Sequence, residues 1–313
     1  MKIKINFPGP LTTVVDEGRK GFMNVGFSSG GAMDKYSMNL ANILVGNSED
    51  EGVLEMTFMG ISAEVDFDAV IAITGADMSP TVNGSPIPMY EAVGLHKGDV
   101  LEMKAAKNGM RAYLSVSGGF DIEKIMGSLS TNLKCKIGGF KGRKLMAGDE
   151  IPCRRSARLL GKRITEPENT YADVVTVRVI LGPQDDYFTD KGISTFLSSQ
   201  YTVSDKSDRM GIRLEGDAIE NVCGVDIVSD GIAMGSVQIP ASGTPIIMMA
   251  DRQTTGGYAK IATVISADLS LLSQAKPGTA VRFKSVSERE AVRFLKRQKN
   301  KLTKLKCKLN STK

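Results

Sequence analysis

Histidine and tryptophan are nearly absent from this chain of 313 residues, which has one histidine and no tryptophan. The histidine, His96, lies in the turn-like segment GLHKGD, where we expect a surface position. A single histidine excludes His-rich metal sites and most Ser-His-Asp catalytic triads. The phosphate-binding pattern GxxxxGK[ST] is also absent, since the segment GGFKGRK lacks its spacing and is interpreted as a turn.

Long apolar runs and paired cysteines are lacking as well. No run approaches the roughly 20 residues of a membrane-spanning helix, and the N-terminal MKIKINFPGP has no apolar signal-peptide region. The cysteines show no CxxC pair, so we expect reduced thiols, a cytoplasmic location and no structural zinc site. They are Cys135, Cys153, Cys223 and Cys307.

Glycine and apolar residues, in contrast, are abundant, with 33 glycines and 42% hydrophobic residues. The β-branched residues occur in short runs between turn residues, which favours many short strands over a helical bundle. The length suggests about two domains. Strands are predicted at 3–7, 53–58, 63–67, 70–74, 99–103 and 111–116, and again at 174–181, 200–203, 236–239, 245–250, 261–265 and 279–283.

Two segments in the body of the chain have a helical pattern. The apolar residues of 35–45 share one face, Asp34 is a suitable N-cap and Gly46 can end the helix. A second short helix is predicted at 267–274.

The C-terminal tail carries the positive charge. From Arg282 onward, 12 Lys and Arg residues accompany two acidic residues, which leaves 28 basic and 33 acidic residues before it. Ser287 and Glu290 have the spacing of a capping box, which predicts a helix. Such a tail can contact an acidic surface, but we favour a solvated, partly frayed helix. Without interleaved aromatic residues it is not predicted to bind nucleic acid.

The two series of strands are separated by a charged stretch without periodicity. We predict a first β domain at 1–155, a linker at 156–173, a second β domain at 174–286 and a basic helical tail at 287–313. The segments SSGGAMD and SDGIAMG, one in each half, share Ser, Gly, Ala and Met at matching offsets. This similarity fits a duplicated β domain with sites that face a shared cleft.

The most distinctive segment is 243–264, GTPIIMMADRQTTGGYAKIATV. Two apolar runs, predicted to be strands covered on both faces, flank the polar stretch 251–260. This stretch is longer than a usual hairpin loop, and its Gly-Gly pair allows close approach of a ligand. It is interpreted either as a binding loop or as a long polar hairpin turn.

Polar and charged residues in Gly-rich segments are the candidate site residues. Arg suits a bidentate grip on a carboxylate or phosphate, Asp can accept a proton or hold an amide, and adjacent glycine amides can form an anion nest. Structural alternatives remain open, because Asp34 can be a helix cap, Asp208 and Arg209 a turn salt bridge, and Gln238 a partner of barrel backbone. The candidates are Arg19, Asp34, Asp208, Arg209, Gln238, Arg252, Gln253, Thr255, Gly256, Gly257, Tyr258 and Lys260.

Motifs spread over most of the chain resemble the family called allophanate hydrolase subunit 2, a biotin-dependent carboxyltransferase family. In the first half these are TTVVDEGRKG, SGGAMD, ITGADM, YLSVSGGF and GSLST. In the second half they are GPQDDYF, SDRMGIRL, SDGIAMGSVQIP and DRQTTGGYAKIATVI. The resemblance implies a mainly β fold of two cyclophilin-like β-barrel domains with a few short helices and the basic C-terminal helix.

Among the activities in this family, the resemblance is closest to the C-type subunit of 5-oxoprolinase. It implies ATP-dependent opening of the lactam of 5-oxo-L-proline to L-glutamate, with partners similar to the B-type and A-type subunits of that enzyme. ATP, with Mg²⁺, would be a co-substrate, and no biotin is expected on this chain, which lacks a biotinyl-lysine motif. We expect activity only in the heteromeric complex.

By the same resemblance, roles can be suggested for the matching positions. Catalytic roles would fall to Asp34, Asp208, Arg209 and Lys260, and the other candidates would bind substrate or nucleotide. Arg209 or Arg252 would hold a carboxylate or phosphate. The Gly256 and Gly257 amides, together with Lys260, would steady developing negative charge. Asp34 or Asp208 would orient the ring amide. Two alternatives stay open: a regulatory protein that antagonises a kinase inhibitor, and a carboxyltransferase component that serves a separate biotin carrier.

Overall fold

The computed structural model describes residues 1–155, 162–164 and 171–311. Contacts within the chain divide it into two units, each made of more than one stretch of sequence, whereas the sequence suggested consecutive domains. The first unit comprises Met1–Arg19, Gly30–Thr170 and Lys301–Lys313, and the second comprises Lys20–Ser29 and Tyr171–Asn300.

Part of the predicted linker pairs with the first unit. The Ala92 amide donates to the Lys162 carbonyl at 2.8 Å, and the Ile164 amide donates to the Tyr90 carbonyl at 2.9 Å. Residues 162–164 therefore extend a sheet edge. The rest of the predicted linker up to residue 170 lies outside the described residues.

The first unit contains two antiparallel sheets. The six-stranded sheet has the order β11-β1-β4-β9-β6-β7, and the five-stranded sheet has the order β2-β3-β10-β5-β8. The strands are β1 (Lys2–Phe7), β2 (Leu11–Val15), β3 (Val53–Thr57), β4 (Ser62–Val65), β5 (Ala69–Gly75), β6 (Thr81–Val82), β7 (Ser85–Pro86), β8 (Ala92–Leu95), β9 (Val100–Glu102), β10 (Arg111–Val116) and β11 (Glu150–Pro152).

The core of the first unit lies between these two sheets. Ile3 and Ile5 of β1 pack in one buried cluster with Leu54 and Leu114 of the other sheet. Strand β1 buries alternate residues because only one of its faces meets the core. Strands β3, β5 and β10 are buried at every position. Such runs without alternation are expected of strands covered on both faces.

The helix α1 (Lys35–Leu44) covers the outer face of the five-stranded sheet. Its residues Tyr36 and Leu40 pack in one cluster with Val70 and Ala72 of β5. The helix begins at Asp34, whose carboxylate accepts bonds from the Ser37 amide (3.0 Å) and hydroxyl (2.6 Å). An N-cap of this kind satisfies amides that have no partner inside the helix.

The second unit is a closed barrel with the strand order β12-β19-β16-β17-β14-β13-β20. The parallel pair β12 and β20 is the closure point, and the other pairs are antiparallel. A two-stranded ribbon, β15 with β18, accompanies it. The strands are β12 (Val174–Leu181), β13 (Tyr201–Val203), β14 (Gly211–Glu215), β15 (Asp226–Gly231), β16 (Ser236–Gln238), β17 (Ile246–Met248), β18 (Thr255–Tyr258), β19 (Lys260–Val264) and β20 (Ala280–Ser285).

The prediction of a mainly β chain with few helices and a C-terminal helix is confirmed. A barrel is present in the second unit. The expectation of a second closed barrel is corrected, because the strands of the first unit form two separate sheets. In place of the predicted helix at 267–274 the structure has a 3₁₀ turn, Ser266–Asp268, followed by the short helix α3 (Leu269–Ser273).

Two further helices complete the fold. Helix α2 (Asp190–Ser198) was not predicted; its Phe196 stacks on Phe283 of β20 with ring centroids 4.3 Å apart. The basic helix α4 (Glu288–Ser311) begins with the predicted capping box, in which the Ser287 amide donates to Glu290 at 2.9 Å. The tail is less solvated than expected, because Leu302 and Leu309 are buried. Among the described helices, none combines the length and the apolar character that a bilayer crossing requires.

Candidate functional site

A cavity of about 490 Å³ lies on the barrel of the second unit, along the adjacent strands β14, β17 and β16. This volume is within the range of small-molecule sites. Four of the residues predicted from sequence line it, and Arg213 and Met248 line it as well. The four are Asp208, Gln238, Gln253 and Tyr258.

Asp208 is positioned by its own turn. Its Oδ1 accepts hydrogen bonds from the amides of Met210 (2.8 Å) and Gly211 (3.1 Å), at the start of β14. The other oxygen, Oδ2, makes no hydrogen bond or ion pair within the described part of the chain. The residue is exposed, so this oxygen is available to a ligand in the cavity.

Arg213 is a cavity residue that the sequence reasoning missed. It lies on β14, where Gly211, Ile212 and Leu214 are buried and Arg213 is exposed. Its backbone amide bonds to the Ser207 hydroxyl at 3.1 Å. Its guanidinium makes no hydrogen bond or ion pair among the residues that the structure describes. The signal was present in the alternating pattern GIRLE, which turns this arginine away from the core.

Gln238 and Gln253 bring two amide groups to the cavity, and Gln238 is 2% exposed. Its Nε2 donates to the Tyr258 carbonyl at 3.2 Å, so the amide does satisfy a backbone group. Gly256 lies beside both amides. A Cβ on Gly256 would lie 3.0 Å from Nε2 of Gln238 and 3.4 Å from Nε2 of Gln253.

Arg209 does not present its charge to a ligand in the way the sequence suggested. Its Nε and Nη2 donate to the two carboxylate oxygens of Asp251 at 2.8 Å and 3.0 Å. The side chains of Arg209 and Asp251 are 7% and 17% exposed. The alternative of a turn salt bridge between Asp208 and Arg209 is not what the described residues form, because the carboxylate partner of Arg209 is Asp251. The pair ties the turn before β14 to the loop after β17.

Arg252 is buried and donates to neutral acceptors. Its Nε bonds to the Ile232 carbonyl at 2.9 Å, and Nη1 lies 3.3 Å from the Ser29 hydroxyl and 3.4 Å from the Met249 carbonyl. Burial lowers the pKa of this guanidinium from its ordinary value. These contacts hold the 20–29 segment within the second unit, which makes Arg252 a structural residue in this conformation.

Lys260 is also engaged. Its ammonium, on a side chain 3% exposed, bonds to Oδ2 of Asp230 at 2.9 Å. The hydrogen bond from Lys260 lowers the pKa of Asp230, with smaller contributions from the Gly231 amide and from the charge of Lys260. Lys260 therefore joins β19 to β15 of the ribbon.

Thr255, Gly256 and Gly257 lie in β18, which pairs with β15. Neither glycine has a positive φ, whereas a nest of successive amides needs alternating right- and left-handed backbone. The anion nest predicted at these glycines is therefore not formed. Gly256 instead lets the ribbon pass close to the two glutamines, whereas a Cβ on Gly257 would face Ile227 and Ser229.

The two predicted residues of the first unit have local partners there. Asp34 caps α1, as one interpretation of the sequence proposed, and is fully buried. Its amide donates to the Tyr113 hydroxyl at 2.8 Å. The pKa of Tyr113 is raised well above its ordinary value, first by burial and then by the charges of Glu55 and Asp34. Arg19 is 1% exposed and donates to the Ser130 carbonyl.

The chemistry of the cavity is thus that of a site for a small polar anion. One guanidinium, one carboxylate oxygen, two amides and the exposed Tyr258 converge on a space with a partly apolar wall that includes Met248. Within the described ranges, no group of three or more His, Cys, Asp or Glu side chains has the arrangement of a metal site.

Comparison with known proteins places the chain in a family. Residues 25–285 match the model of the carboxyltransferase domain, subdomains A and B. The chain belongs to this family. The match confirms the resemblance identified from the motifs.

Relatives of nearly the same length are 5-oxoprolinase subunits. The C subunit of 5-oxoprolinase from Haemophilus influenzae is 38% identical over 290 residues, which are 93% of this chain and 92% of the relative. That of Escherichia coli is 35% identical over 309 residues, 99% of each chain. The crystal structure of Kluyveromyces lactis urea amidolyase superposes with a TM-score of 0.91 at 28% identity, covering 97% of this chain and 20% of that much longer one.

Proposed function

We propose that this chain is the C subunit of an ATP-dependent 5-oxoprolinase, a lactam hydrolase. The enzyme opens 5-oxo-L-proline to L-glutamate and works together with partners similar to the A and B subunits of such an enzyme. The likeness to two 5-oxoprolinase subunits over nearly the whole chain supports this function. The observation that carries it in the structure is the cavity in which the unengaged Arg213 and the Asp208 oxygen meet two amides.

The substrate has groups that match those of the cavity. Its carboxylate is a partner for the guanidinium of Arg213, because arginine forms bidentate, charge-assisted bonds with carboxylates. This assignment replaces Arg209 and Arg252, whose donors are used inside the protein. The cavity of about 490 Å³ is larger than the substrate ring needs and leaves space for a second reactant.

The reaction needs activation because a lactam carbonyl is a poor electrophile. Transfer of the terminal phosphoryl group of ATP to the carbonyl oxygen would make the ring carbon easier for water to attack. The C–N bond then breaks and the ring nitrogen leaves as the amine, and a second water releases phosphate from the resulting acyl phosphate to give glutamate. In this proposal Oδ2 of Asp208 accepts a proton from the water that attacks the ring carbon. Mg²⁺ would be held mainly by the nucleotide phosphates and water, and would then not need a cluster of protein ligands. The chain itself carries no biotin.

The remaining predicted residues support the site in this proposal. The Arg209–Asp251 pair and the Lys260–Asp230 pair fix the loops on both sides of the cavity strands. Thr255 and Gly257 belong to the ribbon that carries Tyr258. We assign Arg19 and Asp34 structural roles within the first unit. We also propose that both units are variants of a cyclophilin-like fold, with domain boundaries near residues 155 and 174, and that the enzyme acts in the cytoplasm.

The second candidate is a carboxyltransferase component that serves a separate biotin carrier, and the fold similarity to urea amidolyase favours it. The two functions differ in their need for biotin and bicarbonate. A regulatory role, in which the cavity would bind a protein, requires no small-molecule turnover. An assay of 5-oxoproline-dependent ADP and glutamate formation, with and without bicarbonate, therefore distinguishes the three functions.

The test is co-expression of the chain with proteins similar to the A and B subunits, followed by measurement of 5-oxoproline-dependent ADP and glutamate. We expect Arg213→Ala to raise the KM for 5-oxoproline about tenfold or more, because a charge-assisted hydrogen bond is lost. The matched control is Arg282→Ala, since Arg282 lies on barrel strand β20 and bonds to Gln200 rather than lining the cavity. Activity that requires bicarbonate and is blocked by avidin would instead identify the carboxyltransferase.

A further inference from the structure

Gln238 has one amide atom fixed by the protein and one left to the cavity. Its partner on β18 is the carbonyl oxygen of Tyr258, which can accept only from an N–H group. The amide must therefore turn Nε2 toward Tyr258 and Oε1 away from it. Among the residues that the structure describes, no donor bonds to Oε1.

Three features of the backbone hold this orientation. Strand β16 has an irregularity between Val237 and Gln238 where it pairs with β19, and such bulges redirect a side chain. The Tyr258 carbonyl anchors Nε2 at 3.2 Å. Gly256 provides the space, since its Cβ would lie 2.6 Å from Cδ1 of Ile232 and 3.0 Å from Nε2 of Gln238.

The oxygen Oε1 is accessible from the cavity, since it is not one of the fully buried polar atoms that lack a partner. With Nε2 fixed on Tyr258, this oxygen is an acceptor held in place for a donor on a ligand. Gln238 is 2% exposed and lines the cavity, so a ligand donor can complete its bonding. With Arg213 holding the carboxylate of 5-oxoproline, the substrate group that can donate is the ring N–H.

We propose that Gln238 is the specificity residue that recognises the lactam N–H, with Oε1 as the acceptor and Gly256 as the positioning residue. This inference rests on the proposed function. It attributes to Gln238 the preference of the site for a cyclic amide over a ring of the same shape that lacks the N–H group. A site built to bond such a donor discriminates against analogues that lack it, because its acceptor is then left unpaired.

The test compares 5-oxo-L-proline with the matching enantiomer of 3-oxocyclopentane-1-carboxylate, in which a CH₂ group replaces the ring N–H. Both dissociation constants are measured by calorimetry on the complex with the A and B subunits. The preference is the ratio of the two constants. For the unmodified complex we expect a preference of about tenfold or more, the effect of one buried hydrogen bond.

Gln238→Met keeps the side-chain length and removes the acceptor, so it should bring the preference close to one while the carbocycle binds as before. Gly256→Ala should lower the preference by displacing the amide. The matched control is Gly231→Ala in the paired strand β15, where an added Cβ meets nothing within 4 Å, and its preference should be unchanged. Circular dichroism shows whether each variant is folded.

Equal weakening of both ligands in Gln238→Met, or an unchanged preference, would show that Gln238 only packs and would overturn the inference. A complex that binds and hydrolyses 5-oxoproline without any preference would overturn it while leaving the proposed function intact. If the unmodified complex neither binds nor hydrolyses 5-oxoproline, the proposed function fails, and this inference fails with it.

Discussion

The ion pair between Arg209 and Asp251 should contribute strongly to the stability of the barrel. Both bonds are short, and the Asp251 amide also donates to the Arg209 carbonyl at 2.9 Å. Replacing Asp251 with alanine would leave the charge of a 7% exposed guanidinium without its carboxylate. Removal of one partner from a buried pair costs roughly 3–5 kcal/mol of unfolding free energy.

Partial access of water to Asp251 places the expected loss at the lower end, about 3 kcal/mol. A chain of two units need not unfold in a single step, so a local measurement is preferable to a global one. Hydrogen exchange of peptides from β14 and β17 reports the opening equilibrium of the barrel. A loss of about 3 kcal/mol corresponds to roughly a hundredfold faster exchange there.

Two controls identify the cause. The double variant Arg209→Met with Asp251→Leu should recover most of the stability, because neither buried charge remains. Glu150→Ala, which breaks the exposed pair with Lys2, should leave exchange in the barrel unchanged. An Asp251→Ala variant whose β14 and β17 peptides exchange less than tenfold faster would show that the ion pair does not hold the barrel together.

Three further predictions concern pH, thiol reactivity and the 20–29 segment. The hydrogen bond from Arg143 lowers the pKa of Asp149, so the stability that this bond adds is present at neutral pH and is lost as the pH falls through the lowered pKa. In urea unfolding, the difference in stability between the natural chain and Asp149→Asn should be constant down to about pH 5 and shrink below about pH 4. A difference in stability that grows on acidification would contradict this role of the Arg143–Asp149 pair. Burial raises the pKa of the Cys153 thiol to about 12; native alkylation at about pH 8, read by mass spectrometry, should label Cys135 and Cys223 but not Cys153, and equal labelling would contradict its burial. Arg252→Ala removes the contacts to Ser29 and Met23, so trypsin should cut after the exposed Lys20 about tenfold faster than in Arg213→Ala, and equal rates would exclude the anchoring role.

Some elements could be predicted from sequence because local pattern and tertiary environment agree. Strands β10 and β12 have the predicted bounds, since their apolar and β-branched runs have few alternatives. Helix α1 was identified by its apolar face and its Asp34 cap. Helix α2 was missed because it contains glycine, serine and threonine, and its packing through Phe196 on Phe283 is invisible in the sequence.

The sequence singled out the polar stretch 251–260, and Gln253 and Tyr258 of this stretch line the cavity. The loop after β17 does lie at the cavity, but part of it forms β18, whose partner β15 comes from a distant segment. Arg209, Arg213 and Arg252 occur in similar polar motifs. The alternation in GIRLE indicates that Arg213 faces outward, but which arginines are engaged by other groups is visible only in three dimensions. Two are engaged by Asp251 or by backbone carbonyls, which leaves Arg213 for a ligand.

The proposed activity is tested most directly by the products of the complete complex. With 5-oxo-L-proline and ATP, we expect ADP and glutamate to appear together and both to require this chain. Arg213→Ala should weaken the dependence on 5-oxoproline, whereas Arg282→Ala should not. ADP formation that ignores 5-oxoproline, or the same KM in Arg213→Ala as in the natural complex, would contradict the assignment of the cavity as the lactam site.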